Sequence, residues 1–558
     1  MESYSVVLSG EAGQGLKTIE ILFMKLLQQS GYHAFMTKEV MSRVRGGNNT
    51  TEIRIASEPV YAYTDTIDVL IVLGKKAICR IEKRLNPNTL VIGEEALLAD
   101  TSLPCKKIPL SVKESLLDIG GMLYANTLFS GLLCKLFSCD PQIAYDLISN
   151  RFLKKGSDIV NNNIAAFNKG MQLADQIPLK ATVQKDATVA KGTKTLSGTD
   201  SIGIGALAGG CNFIASYPMS PSTGVLAFMA SHADAYGVLV EQAEDEIAAL
   251  TMSLGAWYAG ARSMVTTSGG GYALMTEGLS LAGIIESPAV IHLAERPGPA
   301  TGLPTRTEQG DLNFAVYGGH GDFPRVIYAP GNLQDGVELS RKAFETADTF
   351  QVPVFILTDQ YFLDSEGYIP KIDFSKNEIK EHIVKTAQDY KRYALTPSGI
   401  SPRGIPNHGE GIVRVDSDEH TEEGLITEEA DVRIAMTDKR MRKLAKLDDI
   451  EPEIIGSSDY KTLIVGWGST YGAICEAIKK LNNKDIAFAY FRQVYPIPRS
   501  TKALFAKAQK TILVENNVTG QFGNLLKQEL KVDFDKKILK YDGFAFSVEE
   551  LIQKIEEV

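Results

Sequence analysis

Two segments decide the fold: Val238-Leu-Val-Glu-Gln-Ala-Glu-Asp-Glu-Ile-Ala-Ala249 and Ser263-Met-Val-Thr-Thr-Ser-Gly-Gly-Gly271. Each begins with a short apolar strand, continues through a loop of small or polar residues, and leads into an amphipathic helix. The same pattern occurs four times in succession, and the predicted strands are residues 212–216, 238–242, 263–267 and 289–294. The sequence therefore predicts an α/β fold.

Polar residues follow each of these four strands. In a parallel sheet the carboxyl ends of the strands lie at one edge, where ligands bind. The residues that we expect at this edge are Ser220, Glu244, Ser268, Gly269, Arg296, Thr301 and Thr305.

Glu244 lies between an apolar strand and the apolar helix of residues 247–256. We expect its carboxylate to be partly desolvated, which would raise its pKa and suit it to proton exchange near neutral pH. Alternatively, Glu244, Asp245 and Glu246 complement the helix dipole without a chemical role. The residues alone do not decide between these interpretations.

Arg296 ends an apolar strand and begins a loop that three prolines make stiff, Arg296-Pro-Gly-Pro-Ala-Thr-Gly-Leu-Pro-Thr305. A guanidinium with the hydroxyls of Thr301 and Thr305 would bind a carboxylate. The alternative is that Arg296 forms a structural ion pair.

A glycine-rich turn near the start of the chain, Gly10-Glu-Ala-Gly-Gln-Gly15, joins a predicted strand of residues 4–8 to a helix that reaches about residue 30. Such a turn can present backbone N–H groups to a phosphate. The spacing fits neither the P-loop nor the dinucleotide motif, so a tight packing turn is the main alternative. Two arginines including Arg45, in Ser42-Arg-Val-Arg-Gly-Gly-Asn48, form either an anion clamp or a solvated turn.

The composition excludes several classes of protein. A net charge of −10 argues against nucleic-acid binding, which needs clustered Lys and Arg. No apolar run approaches the roughly 18 residues of a membrane span, and residues 1–4 do not resemble a signal peptide, so we expect a cytoplasmic protein. The six cysteines have neither zinc nor iron–sulfur spacing, and we predict no metal site in this chain.

Changes in composition predict three α/β domains, at residues 1–184, 201–364 and 456–558. The small, polar and basic residues 185–200 are predicted to be a linker, and residues 365–455 a charged connecting segment. Within that segment we interpret residues 417–423, which are acidic with one histidine, as a solvated loop rather than a metal site. Residues 439–443 are interpreted as a charged helix face.

The motifs together resemble a known family. Tyr217-Pro-Met-Ser-Pro-Ser-Thr223, Glu241-Gln-Ala-Glu-Asp-Glu-Ile-Ala-Ala249, Thr266-Thr-Ser-Gly-Gly-Gly271 and Arg296-Pro-Gly-Pro-Ala-Thr-Gly-Leu-Pro-Thr-Arg-Thr-Glu-Gln-Gly-Asp311 are similar to the alpha subunits of 2-oxoacid:ferredoxin oxidoreductases. The N-terminal turn resembles the gamma domain, which the 2-oxoglutarate-type branch fuses ahead of alpha. Val465-Gly-Trp-Gly-Ser-Thr-Tyr-Gly472 resembles the C-terminal domain, which is similar to that of transketolase.

The resemblance implies that the central domain binds the pyrimidine of thiamine diphosphate through Glu244, Ser268 and Gly269. It also implies that Ser220, Arg296, Thr301 and Thr305 hold the carboxylate of a 2-oxoacid, whose CoA-dependent oxidative decarboxylation passes electrons to ferredoxin. Gly13, Gln14, Gly15 and Arg45 are weaker candidates for contacting coenzyme A. The substrate is expected to be 2-oxoglutarate, with pyruvate or a branched-chain 2-oxoacid as the alternative.

Two positions depart from the family, since Ser220 stands where Thr is usual and Gly270 where Pro is frequent. The chain also lacks the Gly-Asp-Gly motif that holds diphosphate and Mg²⁺, and it lacks the cysteines of a cluster. The resemblance implies a beta subunit that supplies Mg²⁺ and a [4Fe–4S] cluster, in a heterotetramer of two alpha–beta pairs. A non-catalytic scaffold or electron-transfer adaptor, and a P-loop-like nucleotide binder, are the competing hypotheses.

Overall fold

The computed structural model describes residues 3–11, 13–42, 47–79, 81–99, 103–179, 181–375 and 378–557. These residues fall into two compact units. The first consists of Met1–Ser197, Asp364–Ile372 and Ser547–Glu557, and the second of Gly198–Leu363 and Asp373–Phe546.

The first unit contains a mixed sheet with the strand order β6-β5-β4-β1-β3-β2-β14-β7. β1 pairs with β3 in antiparallel and with β4 in parallel orientation, and the strand predicted at residues 4–8 is confirmed as β1. The strands are β1 (Ser3–Glu11), β2 (His33–Glu39), β3 (Asn48–Ala56), β4 (Val69–Val72), β5 (Leu90–Glu94), β6 (Lys106–Leu110), β7 (Thr193–Ser197) and β14 (Glu366–Pro370).

Helices cover this sheet, and two of them cross closely. A Cβ added at Gly131 of α4 would lie 1.9 Å from the carbonyl oxygen of Phe167 in α6, and one at Gly170 would lie 1.8 Å from that of Leu128. The two glycines therefore allow the backbones to approach. The helices of the unit are α1 (Leu16–Gln29), α2 (Glu95–Leu98), α3 (Val112–Ser115), α4 (Ala125–Leu136), α5 (Pro141–Phe152), α6 (Ser157–Leu173), α7 (Ala187–Gly192) and α19 (Val548–Glu556).

The predicted linker, residues 185–200, contains the short helix α7 and the strand β7, and the division between the two compact units falls within it. Asp186 accepts a hydrogen bond from the backbone N–H of Thr188 at 2.8 Å and caps α7. β7 then pairs with β14 over five residues. Because β7 lies at the sheet edge and buries mainly Leu196, its sequence shows little apolar alternation.

The second unit contains two sheets, with the orders β18-β12-β13-β11-β10-β8-β9 and β15-β17-β16-β19-β20. The predicted strands at residues 212–216, 238–242, 263–267 and 289–294 are confirmed as β8 to β11, and they run parallel as neighbours. The strands are β8 (Phe213–Ser216), β9 (Leu239–Gln242), β10 (Ser263–Thr267), β11 (Ala289–Glu295), β12 (Val326–Tyr328), β13 (Pro353–Asp359), β15 (Glu453–Gly456), β16 (Thr462–Trp467), β17 (Ile486–Phe491), β18 (Gln493–Tyr495), β19 (Lys510–Glu515) and β20 (Lys536–Leu539).

The two sheets of this unit share one hydrophobic core. Leu293 of the first sheet belongs to the same buried cluster as Trp467 of the second sheet and Phe522 of the helix Gln521–Leu530, which packs on it. The predicted boundary at residue 456 thus lies within a compact unit. The helices are α8 (Gly198–Ala208), α9 (Thr223–Tyr236), α10 (Glu246–Tyr258), α11 (Gly269–Ile284), α12 (Leu312–Tyr317), α13 (Leu333–Phe350), α14 (Gln360–Asp364), α15 (Ala430–Arg442), α16 (Tyr471–Leu481), α17 (Thr501–Lys507) and α18 (Gln521–Leu530).

The interpretation of residues 439–443 as a charged, solvated helix face is wrong for the lysines. Lys439 and Lys443 are buried, and both Nζ atoms lie 2.7 Å from the carboxylate of Glu286, which follows α11. Arg392 donates to the carbonyl of Glu286 at 2.8 Å and to Oε1 of Gln351, the residue after α13, at 2.9 Å. Three cations thus meet the C-terminal ends of two helices, where the helix dipole is negative.

Residues 417–423 are also packed more tightly than the interpretation as a solvated loop allows. His420 is fully buried, and its ring lies 3.8 Å from that of Tyr393. Glu419 accepts hydrogen bonds from Arg433 and Arg440, which hold the pKa of its carboxyl at about 2. Distant partners therefore order this acidic stretch.

Candidate functional site

Loops after four neighbouring strands meet at the carboxyl edge of the larger sheet in the second unit. Ser220 follows β8, Glu246 follows β9, Ser268 follows β10, and Arg296 follows β11. Arg296 Nη1 donates to the backbone carbonyl of Ser220 at 2.7 Å, so the guanidinium and the serine loop are in direct contact.

Glu244 does not have the environment that the sequence predicted. Its side chain is exposed, because β9 lies at the edge of the sheet and leaves its own residues exposed, including Leu239 at 58%. The expectation of a partly desolvated carboxylate at position 244 is wrong. The neighbouring Asp245 caps α10 by accepting the N–H of Ala248 at 2.8 Å.

Glu246 is the carboxylate that does lie inside the protein. It is 3% exposed, and its Oε1 atom has no hydrogen-bond partner among the described residues. An ideal Cβ on Gly271 would lie 2.5 Å from this oxygen and 2.3 Å from Oγ1 of Thr267, so only glycine leaves room there. A buried acceptor without a partner is available to a ligand.

The helical period could have distinguished Glu246 from Glu244. The buried residues of α10 are Glu246, Ala249, Leu250, Ser253, Leu254 and Trp257, which recur at the spacing of one helix face. Glu246 belongs to that face, and Glu244 precedes the helix. Sequence reasoning missed this residue because it treated the three acids as one group.

The first turn of α11 carries two further features of the site. Ser268 is fully buried at the N-cap, and its hydroxyl also lacks a partner within the described part of the chain. An ideal Cβ on Gly269 would lie 2.4 and 2.6 Å from the carboxylate oxygens of Asp311, so Asp311 is packed against the helix N-terminus. A ligand at this turn would meet backbone N–H groups and the positive end of the helix dipole.

The loop after Arg296 folds back on itself. Leu303 N–H donates to the carbonyl of Pro297 at 3.0 Å, and Gly302 has φ +51°, with an ideal Cβ only 1.8 Å from that carbonyl oxygen. Thr301 is exposed and Thr305 is half-buried. Both hydroxyl-bearing residues therefore lie on a compact loop that begins at the guanidinium.

Gln309 fixes the far end of this loop to the second sheet of the unit. Its side chain accepts the N–H of Asn516 at 2.9 Å and donates to the carbonyl of Trp467 at 2.9 Å, while its own N–H donates to the carbonyl of Asn516 at 2.7 Å. No local sequence pattern predicts this role of Gln309, because its partner Trp467 lies more than 150 residues away in the chain.

Two acidic residues, Glu295 and Asp311, lie in the surroundings of Arg296. Glu295, fully buried at the end of β11, accepts the N–H of Asp311 on Oε1 at 2.7 Å, whereas its Oε2 has no partner within the described ranges. Burial raises the pKa of Glu295 well above its usual value, and the charges of Asp311 and Asp359 add to this effect. Burial raises the pKa of Asp311 to about 6, although the nearby Arg296 opposes the shift.

In the glycine turn of the first unit, the side chain of Gln14, a candidate for contacting coenzyme A, has a packing role. Gln14 Oε1 accepts the N–H of Glu11 at 2.7 Å and fills the space beside Gly10, so this side chain is used within the turn. An ideal Cβ on Gly15 would lie 1.8 Å from Asn126, whereas Gly13 is exposed. Arg45 lies outside the described residues.

The described residues contain neither a metal-binding cluster nor a single membrane-spanning helix. No group of three or more His, Cys, Asp or Glu in that part of the chain is arranged to hold a metal ion. No single described helix is long and apolar enough to cross a membrane, although the bent pair Val112–Ile119 and Gly121–Leu136 passes on length and composition.

Comparisons with known proteins place this geometry in a family. Residues 204–439 match the profile described as pyruvate flavodoxin/ferredoxin oxidoreductase, thiamine diphosphate-binding, and residues 5–173 match that of pyruvate ferredoxin/flavodoxin oxidoreductase. The chain is 32% identical to the 2-oxoglutarate synthase subunit KorA of Archaeoglobus fulgidus, over 65% of this chain and 98% of that protein. It is 28% identical to a 2-oxoacid:ferredoxin oxidoreductase subunit alpha of Sulfolobus, over 99% and 96%.

A solved structure is similar over the full length. The 2-oxoglutarate:ferredoxin oxidoreductase of Magnetococcus marinus, with 2-oxoglutarate, coenzyme A and succinyl-CoA bound, is 28% identical. The match covers 100% of this chain and 99% of that one, with a TM-score of 0.93.

Proposed function

Since this chain belongs to the alpha-subunit family of the 2-oxoacid:ferredoxin oxidoreductases, we propose that it supplies one half of a thiamine diphosphate site. The reaction is the CoA-dependent oxidative decarboxylation of a 2-oxoacid to an acyl-CoA and CO₂, with electrons passed to ferredoxin. The observation that carries this proposal is the buried, unpaired carboxylate oxygen of Glu246, at the same sheet edge as Arg296.

The residues present fit the aminopyrimidine of the cofactor. Glu246 Oε1 and the Ser268 hydroxyl are buried polar atoms without partners in the described residues, and the absence of a side chain at Gly271 lets Glu246 pack against the first turn of α11. When bound, thiamine diphosphate supplies the nucleophilic carbon and the electron sink that decarboxylation needs. Glu246, rather than Glu244, would hold a proton at a pyrimidine nitrogen, and Ser268 and Gly269 would orient the ring.

Arg296 is the proposed anchor of the substrate carboxylate. Its guanidinium is half-buried, and its bond to the Ser220 carbonyl fixes one nitrogen and leaves the other donors for an anion. Thr301, Thr305 and the Ser220 hydroxyl would complete the carboxylate contacts. We infer 2-oxoglutarate as the substrate, because the Magnetococcus and Archaeoglobus relatives are enzymes of that 2-oxoacid.

A beta subunit is the proposed partner. Exposed apolar side chains surround the edge strand and α10, including Leu239 at 58% and Ile247 at 49%, and Glu244 lies among them. Such a surface fits a protein partner better than water. The partner would supply Mg²⁺ and the [4Fe–4S] cluster in a cytoplasmic assembly of two alpha–beta pairs.

Coenzyme A is the proposed co-substrate. Gly13 is exposed and Gly15 caps the N-terminus of α1, so the backbone of this turn can meet a phosphate. We retain Gly13, Gly15 and Arg45 as proposed contacts, and Gln14 only through its backbone, because its side chain is used within the turn.

The experiment is to co-produce the chain with its beta subunit and to measure 2-oxoglutarate- and CoA-dependent reduction of a viologen dye. Glu246→Gln should reduce kcat by about 10² or more, because general acid–base groups contribute about 10²–10⁴-fold. Glu244→Gln, the matched control two residues away, should retain most of the activity. Equal losses in both variants, or full activity in Glu246→Gln, would contradict the assignment, and an assembled complex without any turnover would favour a scaffold.

A further inference from the structure

Two neighbouring glycines in the first turn of α11, Gly270 and Gly271, have opposite surroundings. An ideal Cβ on Gly270 would meet no other described part of the protein within 4 Å. One on Gly271 would lie 2.3 Å from Oγ1 of Thr267, and 2.5 and 2.8 Å from Oε1 and Cγ of Glu246. Neither glycine has a positive φ, and alanine is the better helix former. Side-chain contact, rather than backbone conformation, therefore requires glycine at position 271.

Of the two side chains that border this space, Glu246 is the one that would move. Thr267 is fully buried at the end of β10, and its branched side chain is restricted in χ1. Glu246 has a longer, unbranched side chain. To reach ordinary contact distance from a methyl group on residue 271, its Oε1 atom must shift by about 1 Å. A substituent at position 271 therefore acts on the carboxylate of Glu246.

We propose that Gly271 is a positioning residue, which places the Glu246 carboxylate for its contact with the aminopyrimidine of thiamine diphosphate. This inference rests on the proposed function of Glu246. The oxygen that a methyl group would displace is the same buried Oε1 atom that has no hydrogen-bond partner among the described residues. Gly271 itself contacts neither substrate nor cofactor in this proposal, and it acts only through Glu246.

The size of the effect follows from the displacement. A misplacement of about 1 Å at a group that takes part in the chemistry lowers turnover by about 100-fold. Gly271→Ala should therefore reduce kcat by about that factor. It should also weaken the binding of thiamine diphosphate by about tenfold or more, which corresponds to the loss of one hydrogen bond to a charged group.

The experiment uses the complex with the beta subunit, freed of thiamine diphosphate and supplied with Mg²⁺. Isothermal titration calorimetry measures the affinity for thiamine diphosphate, and a viologen assay measures kcat with 2-oxoglutarate. Gly270→Ala is the matched control in the same helical turn, and it should keep the wild-type affinity and kcat.

A double-mutant cycle separates positioning from damage to the fold. Glu246→Gln keeps the size of the side chain, so a methyl group at position 271 meets the same atoms in both backgrounds. If Gly271 acts through the carboxylate, adding Gly271→Ala to Glu246→Gln should lower the affinity and kcat by less than about twofold further. A purely structural effect would instead lower both quantities equally in the two backgrounds.

Two results would overturn the inference. The first is a Gly271→Ala complex that binds thiamine diphosphate as tightly as Gly270→Ala does. The second is an equal loss on adding Gly271→Ala to the wild type and to Glu246→Gln.

If Gly271→Ala does not assemble, the variant Gly271→Ala/Glu246→Ala decides the matter. Removal of the displaced side chain should restore assembly, and a double variant that still does not assemble also overturns the inference. Wild-type affinity and turnover in Glu246→Gln would instead refute the proposed function.

Discussion

The substitution Glu286→Gln should loosen helix α15 from the rest of the second unit. The Glu286 carboxylate is fully buried and receives three contacts of 2.7 Å, two from Lys439 and one from Lys443. The formal charges of the Glu286 carboxylate, Arg392 and the two lysines sum to +2. The C-terminal ends of α11 and α13 contribute a partial charge of about −0.5 each. Burial lowers the pKa of Lys443 to about 7, and the positive charges of Lys439 and Arg392 act in the same direction.

Removal of one partner from a buried ion pair costs about 3–5 kcal/mol, because the other charge remains buried. At about 3 kcal/mol, local opening of α15 becomes about 150-fold more frequent. Amide hydrogen–deuterium exchange of residues 430–442 measures this opening directly. The effect should be larger at pH 6 than at pH 8, because Lys443 is protonated below its pKa of about 7 and then also loses its partner.

Glu277→Gln is the matched control, since Glu277 is exposed on α11 itself and its replacement should leave exchange unchanged. The double variant Glu286→Gln/Lys443→Met should recover part of the protection by removing one of the stranded cations. If Glu286→Gln leaves the exchange of α15 at the wild-type rate, the cluster does not hold this helix and the reasoning from buried charge is refuted.

Two other substitutions test the substrate loop. Arg296→Lys should raise the KM for the 2-oxoacid by about tenfold or more in steady-state assays with the beta subunit, because an ammonium cannot make a bidentate contact; an unchanged KM would exclude Arg296 as the anchor. Gln309→Ala leaves the buried N–H of Asn516 without its partner and removes one of the two hydrogen bonds to the carbonyl of Trp467, to which the Thr470 hydroxyl also donates at 2.8 Å. The loss should cost about 1–3 kcal/mol and lower Tm by a few degrees. A Tm within one degree of the wild type in differential scanning calorimetry would show that water replaces both bonds.

The sequence predicted β8 to β11 of the second unit because each is a short apolar run that ends in a distinct turn. The strand at residues 263–267 agrees with the structure at both ends, and its successor differs by one residue. These signals are local, since the periodicity and the glycine turn lie within the same ten or twenty residues. The motif order also gave the family, because several spaced motifs had to agree.

The failures share a different cause, which is dependence on distant partners. β7 pairs with a strand about 170 residues later, and Lys439 is buried by a carboxylate that is 153 residues away in the chain. A window of local sequence shows only polar, charged residues in both places. Charged residues are solvated by default, and only the fold reveals that their charges are paired.

Three buried glutamates show how pairing separates structural from functional charge in this molecule. Glu286 is surrounded by cations, so its pKa falls to about 2 and its oxygens are fully used. Burial raises the pKa of Glu295, the charges of Asp311 and Asp359 add to the effect, and one oxygen of Glu295 is unpaired among the described residues. Glu246 is likewise buried, and its Oε1 atom, which is unpaired among the described residues, lies close to Gly271. Burial alone does not distinguish these three residues. An unpaired buried oxygen costs free energy in the isolated chain, so a fold retains it where a ligand or a proton later satisfies it. We therefore propose that the carboxyl edge of the larger sheet, rather than the cluster around Glu286, is where this chain does its chemistry.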